Sequence, residues 1–360
     1  MGRRGGANPS DGFDLKATTS ILLGLFYLPV TVFAHHSFSA WFDRASIAEL
    51  EGVLTEVRWQ NPHVRFTIRT TDESGQETLW DTETFAVSGI SRWGITPEHF
   101  SVGDRVRVAG NPSKRGENQL WIWNILLPSG EELLFGEREP RWSDRVIISG
   151  EPLPAREGES WDPSRGIFRV WSTGSGTPFL LPEVLDPNFD FSRYPLTDAA
   201  RSALAAFDPF EDDPTVNCVP KGMPAIMEQP YPMEFIEQDG NILLHIEEYD
   251  LVRTIHVGSD TDGDDRAASS LGYSVGRWEG GDLIVTTTNV NWGYFDSVGI
   301  PLSTAAVIVE RFTPTDDGAR LDYHVAVTDP STFTEPVELG KYWIWRSDIE
   351  VGRYECVVDD

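Results

Sequence analysis

The stretch Val64-Arg65-Phe66-Thr67-Ile68-Arg69 alternates strictly between apolar and polar side chains. Because successive side chains of a β-strand point to opposite faces, this stretch predicts a half-buried strand with its three apolar residues inward. The same period recurs at residues 104–108 and 121–125, and turn sequences separate such runs. Five or six short strands within residues 35–138 predict a small closed barrel of the oligonucleotide/oligosaccharide-binding (OB) type, with a small sandwich as the alternative.

The second half of the chain returns to this alternation after an interval rich in proline. Nine antiparallel strands with hairpin signals between them predict a larger, lipocalin-like barrel over residues 196–360, so the whole chain is predicted to be all-β. Residues 139–195 hold eight prolines and predict a surface connector, with one candidate strand at residues 166–171. The nine predicted strands lie near residues 233–237, 241–248, 251–257, 271–278, 282–289, 305–313, 319–328, 339–347 and 350–357.

Residues 1–34 predict a cleavable secretion signal. Arg3 and Arg4 precede an apolar run at residues 21–33, which is shorter than the about 20 apolar residues that a membrane span needs. Small residues at positions 32 and 34 predict cleavage before His35, and an uncleaved anchor is the alternative. We therefore expect a periplasmic or secreted protein with no transmembrane segment after cleavage.

The charge of the chain argues against two classes of partner. The chain carries 57 acidic and 29 basic residues, a formal net charge of −28. A protein this acidic repels nucleic acid phosphates and anionic lipids, so neither is an expected partner.

Cys218 and Cys356 are the two cysteines of the chain. In an oxidising compartment, two cysteines most simply form one disulfide. A catalytic thiol is the alternative.

The predicted mature terminus suggests a metal site. A terminal histidine can chelate copper through its amine and its ring, and a further imidazole would complete a three-nitrogen site. His35, His36 and His63 are the candidate ligands, with zinc as another metal. The alternative is that these histidines have no metal and that His63 simply ends a turn.

The segment after the predicted cleavage site resembles an uncharacterised family of secreted bacterial proteins. Mature chains of that family begin His-His-Ser-Phe-x-x-x-Phe-Asp, matched by residues 35–43, and continue with Trp-x-Asn-Pro-His, matched by residues 59–63. A Val-x-Val-x-Gly strand also matches at residues 106–110, although Val102 stands where the family has proline. The resemblance covers residues 35 to about 135 and implies export and a barrel, without an assigned reaction.

The second half resembles other uncharacterised secreted bacterial proteins. Those proteins usually carry histidine where this chain has Tyr273, and a Gly-x-Pro-His-Pro-like loop where it has residues 260–265. The resemblance therefore implies no catalytic histidine in that loop here. The similar stretches are residues 217–220, 248–253, 272–280, 309–312 and 355–356.

Polar and aromatic side chains interrupt the apolar strands of the second barrel. A histidine beside a carboxylate can act as a general base, and an arginine can stabilise a developing anion, although such residues also serve as structural ion pairs. The period of two places Arg253 and Ile255 on one strand face and His256 on the other. The candidate catalytic residues are His245, His256, His324, Arg253, Glu248 and Arg277. The candidate ligand-binding residues are Trp278, Tyr273, Trp292, Tyr294 and Tyr249, and core packing is the alternative for Trp278.

These observations predict an exported protein whose second barrel binds a small apolar or aromatic molecule. The predicted chemistry is a cofactor-free acid–base reaction such as isomerisation, elimination, cyclisation or hydrolysis. A copper-binding envelope protein and a non-catalytic structural protein are the alternatives. The chain lacks a Gly-rich phosphate loop, a Gly-x-Ser-x-Gly elbow and a His-Glu-x-x-His pair, so nucleotide, serine-hydrolase and zinc-protease functions have no support.

Overall fold

The computed structural model describes residues 38–136, 138–148, 163–174, 180–184, 188–258 and 267–358. The predicted secretion signal, His35 and His36 lie outside the described residues. Strands dominate the described chain, which confirms the predicted all-β class. The helices are α1 (Phe38–Trp41), α2 (Val87–Arg92) and α3 (Asp198–Ala206), with short 3-10 turns at Pro97–His99, Pro163–Arg165, Pro182–Val184, Phe191–Arg193, Pro214–Asn217, Ala225–Glu228 and Glu248–Asp250. The strands are β1 (Ala48–Arg58), β2 (Arg65–Thr71), β3 (Glu77–Glu83), β4 (Arg105–Pro112), β5 (Gln119–Leu126), β6 (Glu132–Leu134), β7 (Val146–Ile148), β8 (Val170–Ser172), β9 (Met233–Gln238), β10 (Asn241–Ile246), β11 (Leu251–Val257), β12 (Tyr273–Glu279), β13 (Asp282–Thr288), β14 (Val307–Pro314), β15 (Arg320–Thr328) and β16 (Val337–Trp345).

The first five strands close into a small barrel in the order β1-β2-β3-β5-β4, as the sequence predicts, and β6 and β7 extend its sheet. The long strand β1 pairs with β4 through its first half and with β2 through its second half. Gly52 lies where β1 changes partner, and a Cβ there would come 2.5 Å from the carbonyl oxygen of Arg69, so the close approach requires glycine. β3 and β5 run parallel and complete the closure around the buried side chains of Phe66 and Ile68.

The second barrel closes with nine strands in the order β10-β11-β12-β13-β14-β15-β16-β8-β9. All neighbours are antiparallel except β11 and β12, so the end of β11 and the start of β12 lie at opposite ends of the barrel. Strands β9 to β16 lie where the sequence predicts them. The ninth strand is β8, a three-residue piece of the predicted connector that pairs with both β9 and β16.

The predicted strand at residues 350–357 is wrong. This segment leaves the barrel after β16 and makes one isolated bridge, between Cys356 and Asn61 of the first barrel. The reason is that carboxylates in the turn after β10 bind its backbone amides. The side chain of Glu247 accepts from the amide of Gly352 at 2.7 Å, and Asp250 accepts from the amide of Tyr354 at 3.0 Å.

Asn61, in the Trp-x-Asn-Pro-His stretch, holds the same segment from the other side. Its side-chain nitrogen donates to the carbonyl oxygen of Tyr354, and its side-chain oxygen accepts from the amide of Val87 at 3.0 Å. The amide of Val357 donates to the carbonyl oxygen of Asn61 at 3.0 Å. Asn61 is only 6% exposed, so its amide joins the two barrels without competition from solvent.

The predicted disulfide between Cys218 and Cys356 is confirmed, with 5.9 Å between the two Cα atoms. The alternative of a catalytic thiol is therefore wrong, because both sulfur atoms are bonded. The bond closes a loop between residues 138 positions apart, and on the chain-entropy model such a loop contributes about 4–5 kcal/mol at most.

Replacing Asn61 with alanine is expected to lower the free energy of unfolding by about 2–3 kcal/mol. The change leaves the buried carbonyl of Tyr354 and the amide of Val87 without their partner, and each unsatisfied group costs about 1–3 kcal/mol. Urea titration followed by tryptophan fluorescence measures the change. Asn291→Ala, which removes an exposed amide, is the matched control and should shift the midpoint little. Equal stability of the two variants would contradict the role given to Asn61.

Candidate functional site

The interior of the second barrel contains a buried ion pair between Arg253 on β11 and Glu310 on β14, which are 1% and 0% exposed. Nη1 of Arg253 donates to Oε1 of Glu310 at 2.9 Å, and Nη2 donates to Oε2. Arg253 also donates to Ser274 at 3.0 Å and to Thr287 at 2.7 Å, while the hydroxyl of Tyr323 donates to Glu310 at 3.0 Å. The guanidinium predicted to stabilise an anion is thus engaged in a structural network.

A second pair of titratable groups, which the sequence analysis missed, lies inside the same barrel. Nζ of Lys341 donates to the carbonyl oxygens of Met227 at 3.4 Å and of Glu228 at 3.3 Å, and it lies 5.1 Å from the ring centre of Trp343. Burial raises the pKa of the Glu228 carboxyl to about 7 and lowers the pKa of Lys341. Lys341 could have been found from the sequence, because it precedes the buried Trp343 by two residues and shares its strand face.

Two buried carboxyl groups meet in the loops at the end of the barrel where β13 finishes. Glu183 is 2% exposed and Asp296 is 1% exposed. The hydroxyl of Tyr194 donates to both oxygens of Glu183, at 2.9 and 2.8 Å, and Oδ1 of Asp296 accepts from three backbone amides. Burial, followed by the negative charge of Asp296, raises the pKa of Glu183 to about 8, and burial raises the pKa of Asp296 to about 6. The two carboxyls therefore hold one proton between them near neutral pH.

The structure does not bring the three predicted catalytic histidines together. The inward positions of β10 are apolar, so His245 points to the outer face of the barrel. His256 also faces outward and stacks on Tyr273, with 4.7 Å between the ring centres. His324 is exposed on β15 and lies 3.5 Å from the carboxylate of Glu338. No catalytic triad or dyad follows from these positions.

Glu248 and Arg277, the other predicted catalytic residues, are in separate ion pairs. Glu248 is buried in the turn between β10 and β11 and accepts from Nζ of Lys221 at 3.0 Å. Arg277 is exposed on β12 and donates to Glu279 at 2.7 Å. Neither residue lies in the interior network around Arg253.

Three of the predicted ligand-binding aromatics pack within the protein. The rings of Trp292 and Tyr294 contact each other at 6.0 Å, and the hydroxyl of Tyr294 donates to the carbonyl oxygen of Asp212 at 3.1 Å. Tyr249 has a φ of 60° and packs on Tyr354 with 5.3 Å between ring centres. These rings support the loops and the C-terminal segment.

Trp278 is placed differently, at the mouth of the second barrel, which is the end formed by the β9–β10 and β12–β13 hairpins. Its side chain is 41% exposed, and its ring centre lies 6.1 Å from that of Phe168. Trp278 borders a cleft of about 190 Å³, hereafter the mouth cleft. The mouth cleft is lined by Phe168, Glu237, Gly240, Asn241, Ile242, Val257 and Trp278. The sequence indicates Trp278 but not the other lining residues, because Phe168 falls in the predicted connector and only the closed barrel brings it beside β12.

His63, the described member of the predicted metal ligands, lies between two strands of the first barrel. Its Nδ1 is 2.9 Å from the carbonyl oxygen of Thr84. A carbonyl oxygen can only accept, so Nδ1 carries the proton and the lone pair of the neutral ring is on Nε2. The rings of His63 and Phe38 both contact Trp121, at 5.2 and 5.1 Å.

Two features are absent from the described residues. No three or more His, Cys, Asp or Glu side chains in the described part of the chain are grouped so that they could hold a metal ion. Among the same residues, no helix is long and apolar enough to cross a membrane. His35 and His36 lie outside the described residues, so neither statement covers them.

Part of the first half of the chain is similar to a known family. Residues 24–120 match the model of DUF6152, a family of unknown function. The match includes the His-His-Ser-Phe and Trp-x-Asn-Pro-His stretches and ends within β5, so it agrees with the resemblance to an uncharacterised family and covers none of the second barrel. No curated protein matches the chain. The similarity therefore does not indicate which reaction, if any, the chain performs.

The buried carboxyls predict that stability falls as pH rises. The pKa values of Glu183 and Asp296 are raised in the folded protein, to about 8 and about 6, so the folded state holds protons that the unfolded state releases near pH 4. Their contribution is complete below about pH 4 and is lost as pH rises through 6 to 8. Urea unfolding across this range should show the free energy of unfolding falling as pH rises. In Glu183→Gln, the total fall should be smaller by at least about 1 kcal/mol. Glu350→Gln, at an exposed position, is the control, and an unchanged slope in Glu183→Gln would contradict the assignment.

Proposed function

We propose that this chain is an exported protein whose second barrel binds a small apolar or aromatic molecule in the mouth cleft. The observation that carries the proposal is the exposure of Trp278, at 41%, on a strand face that otherwise points into the barrel. Ser274 on the same face is hydrogen-bonded to Arg253 in the interior, and steps of two residues along β12 lead from Ser274 through Gly276 to Trp278.

An inward-pointing tryptophan left in solvent is unusual, because indole is among the largest apolar surfaces a chain can bury. Covering about 100 Å² of this ring and of Phe168 would contribute about 2.5 kcal/mol to binding. The apolar side chains of Ile242 and Val257 line the same cleft, so a bound ring would contact carbon on several sides. These contacts support a binding role.

The volume of the mouth cleft limits the size of the ligand. A cavity of about 150 Å³ accommodates benzene, and the cleft measures about 190 Å³, which suits a molecule of one or two rings. The filled interior around Arg253 and Glu310 favours binding at the mouth over binding deep in the barrel. Turnover of the ligand is not part of this proposal, because the six residues predicted to be catalytic do not line the cleft.

Replacing Trp278 with alanine is expected to weaken binding of a neutral aromatic probe, 3-tert-butylphenol, by about tenfold. The ring supplies most of the apolar surface that the probe would cover, and tenfold corresponds to about 1.4 kcal/mol. Isothermal titration calorimetry measures the affinity. Trp142→Ala, which removes a partly exposed ring from the first half of the chain, is the control and should leave the affinity unchanged. Absence of binding by the unaltered protein, or equal binding by Trp278→Ala, would refute the proposal.

One observation favours a second candidate function, copper binding at the amino terminus. Nδ1 of His63 donates to a backbone carbonyl, an arrangement typical of metal-ligating histidines, and directs the lone pair to Nε2. Phe38 and His63 contact the same Trp121 ring, and the three residues before Phe38 can span about 10 Å. If cleavage leaves His35 as the terminus, its amine and ring are within reach of His63.

The copper proposal predicts that the mature chain begins at His35 and binds one Cu(II) through nitrogen. Mass spectrometry of the exported protein identifies the terminus, and electron paramagnetic resonance after addition of one equivalent of Cu(II) reports the ligands. His63→Gln should change the spectrum, whereas His324→Gln, at an exposed position, should not. A different terminus, or a spectrum insensitive to His63→Gln, would exclude this site.

A further inference from the structure

The mouth cleft combines aromatic rings with a carboxylate that has no cationic partner among the described residues. Glu237 lines the cleft together with Trp278 and Phe168. Among the described residues, no Lys, Arg or His nitrogen lies within 4.0 Å of the Glu237 carboxylate. The nearby Glu279, in contrast, is paired with Arg277 at 2.7 Å and with Arg311 at 3.0 Å. Glu237 therefore leaves a negative charge beside the rings for a ligand to match.

Within the described residues, the ring of Trp278 also has no cation above it, unlike the rings of Trp123 and Trp142. Arg138 lies 3.9 Å above the ring centre of Trp123, and Arg107 lies 4.9 Å above that of Trp142. In the described part of the chain, no Arg or Lys covers Trp278. Because the face of an indole ring attracts positive charge, Trp278 is an open position for the cation of a ligand.

The electrostatic surroundings of the mouth favour the same class of ligand. In the hairpin segments 237–241, 277–282 and 311–322, acidic residues outnumber basic residues by seven to three. The chain as a whole carries a net charge of −28. Such a field raises the local concentration of cations and speeds their association. The acidic residues are Glu237, Asp239, Glu279, Asp282, Asp316, Asp317 and Asp322, and the basic residues are Arg277, Arg311 and Arg320.

From this charge complementarity we infer that the ligand of the mouth cleft is an organic cation, an amine or quaternary ammonium with an apolar or aromatic body. The inference rests on the proposed binding function and specifies its ligand class. The apolar body lies against Trp278 and Phe168, and the charged nitrogen lies between the indole face and the carboxylate of Glu237.

Two probes of nearly equal shape test the inference, 3-(trimethylammonio)phenol and its neutral isostere 3-tert-butylphenol. We expect calorimetry at low salt to show the cation binding about fivefold or more tighter than the isostere, with the difference shrinking as salt is added. Glu237→Gln keeps the shape of the side chain and removes its charge, so it should abolish the preference for the cation. Glu335→Gln, at an exposed position, is the control and should keep the preference.

The outcomes separate the ligand class from the binding function itself. Equal affinities for the two probes, or a preference that survives Glu237→Gln, would overturn the inference that the ligand is an organic cation. The proposed binding function would stand in that case if Trp278→Ala still weakens binding of both probes. Failure of both probes to bind would overturn the binding function as well. A preference that is lost in Glu237→Gln alone supports the inference.

Discussion

The ion pair between Arg253 and Glu310 organises the polar interior of the second barrel. Removing two charges from water is costly, and it is tolerated here because each charged group meets a partner of fitting geometry. The five residues of the network, Arg253, Ser274, Thr287, Glu310 and Tyr323, come from five consecutive strands, β11 to β15, so the network links more than half of the barrel wall. The same network occupies space that a ligand would need, which explains why the accessible cleft is found at the mouth. The structural network and the proposed binding site thus lie at different positions along the axis of one barrel.

The C-terminal segment joins the two barrels, which form a single compact unit. It is held by the carboxylates of Glu247 and Asp250, by the Cys356 disulfide and by the amide of Asn61. Asn61 belongs to the stretch that resembles an uncharacterised family and lies in the segment that matches DUF6152. In this chain, part of that stretch is therefore used to bind the chain's own end. At this residue, the stretch has a structural use.

Local alternation was sufficient to predict most of the fold but little of the site. The inward direction of Arg253 and the outward direction of His256 both follow from the period of two, and the structure agrees. The period cannot distinguish a segment that pairs with a neighbouring strand from one whose amides are bound by side chains, which is why the run at residues 350–357 was misassigned. Three residues, as in β8, are too few to show any period. Alternation also does not show which distant residues come together in the fold, since Phe168 and Trp278 meet only when the barrel closes.

The short strand β8 has a practical consequence for dividing this chain into fragments. It is a strand of the second barrel that comes from upstream of residue 196 in the sequence. In the barrel it lies between β9 and β16. A fragment starting at residue 196 would leave unpaired backbone on the facing edges of those two strands, and such edges recruit other chains into aggregates. Expression of the second half alone should therefore begin before Val170, even though the proline content of that region suggests a dispensable spacer. The boundary between the halves is set by strand pairing, not by composition.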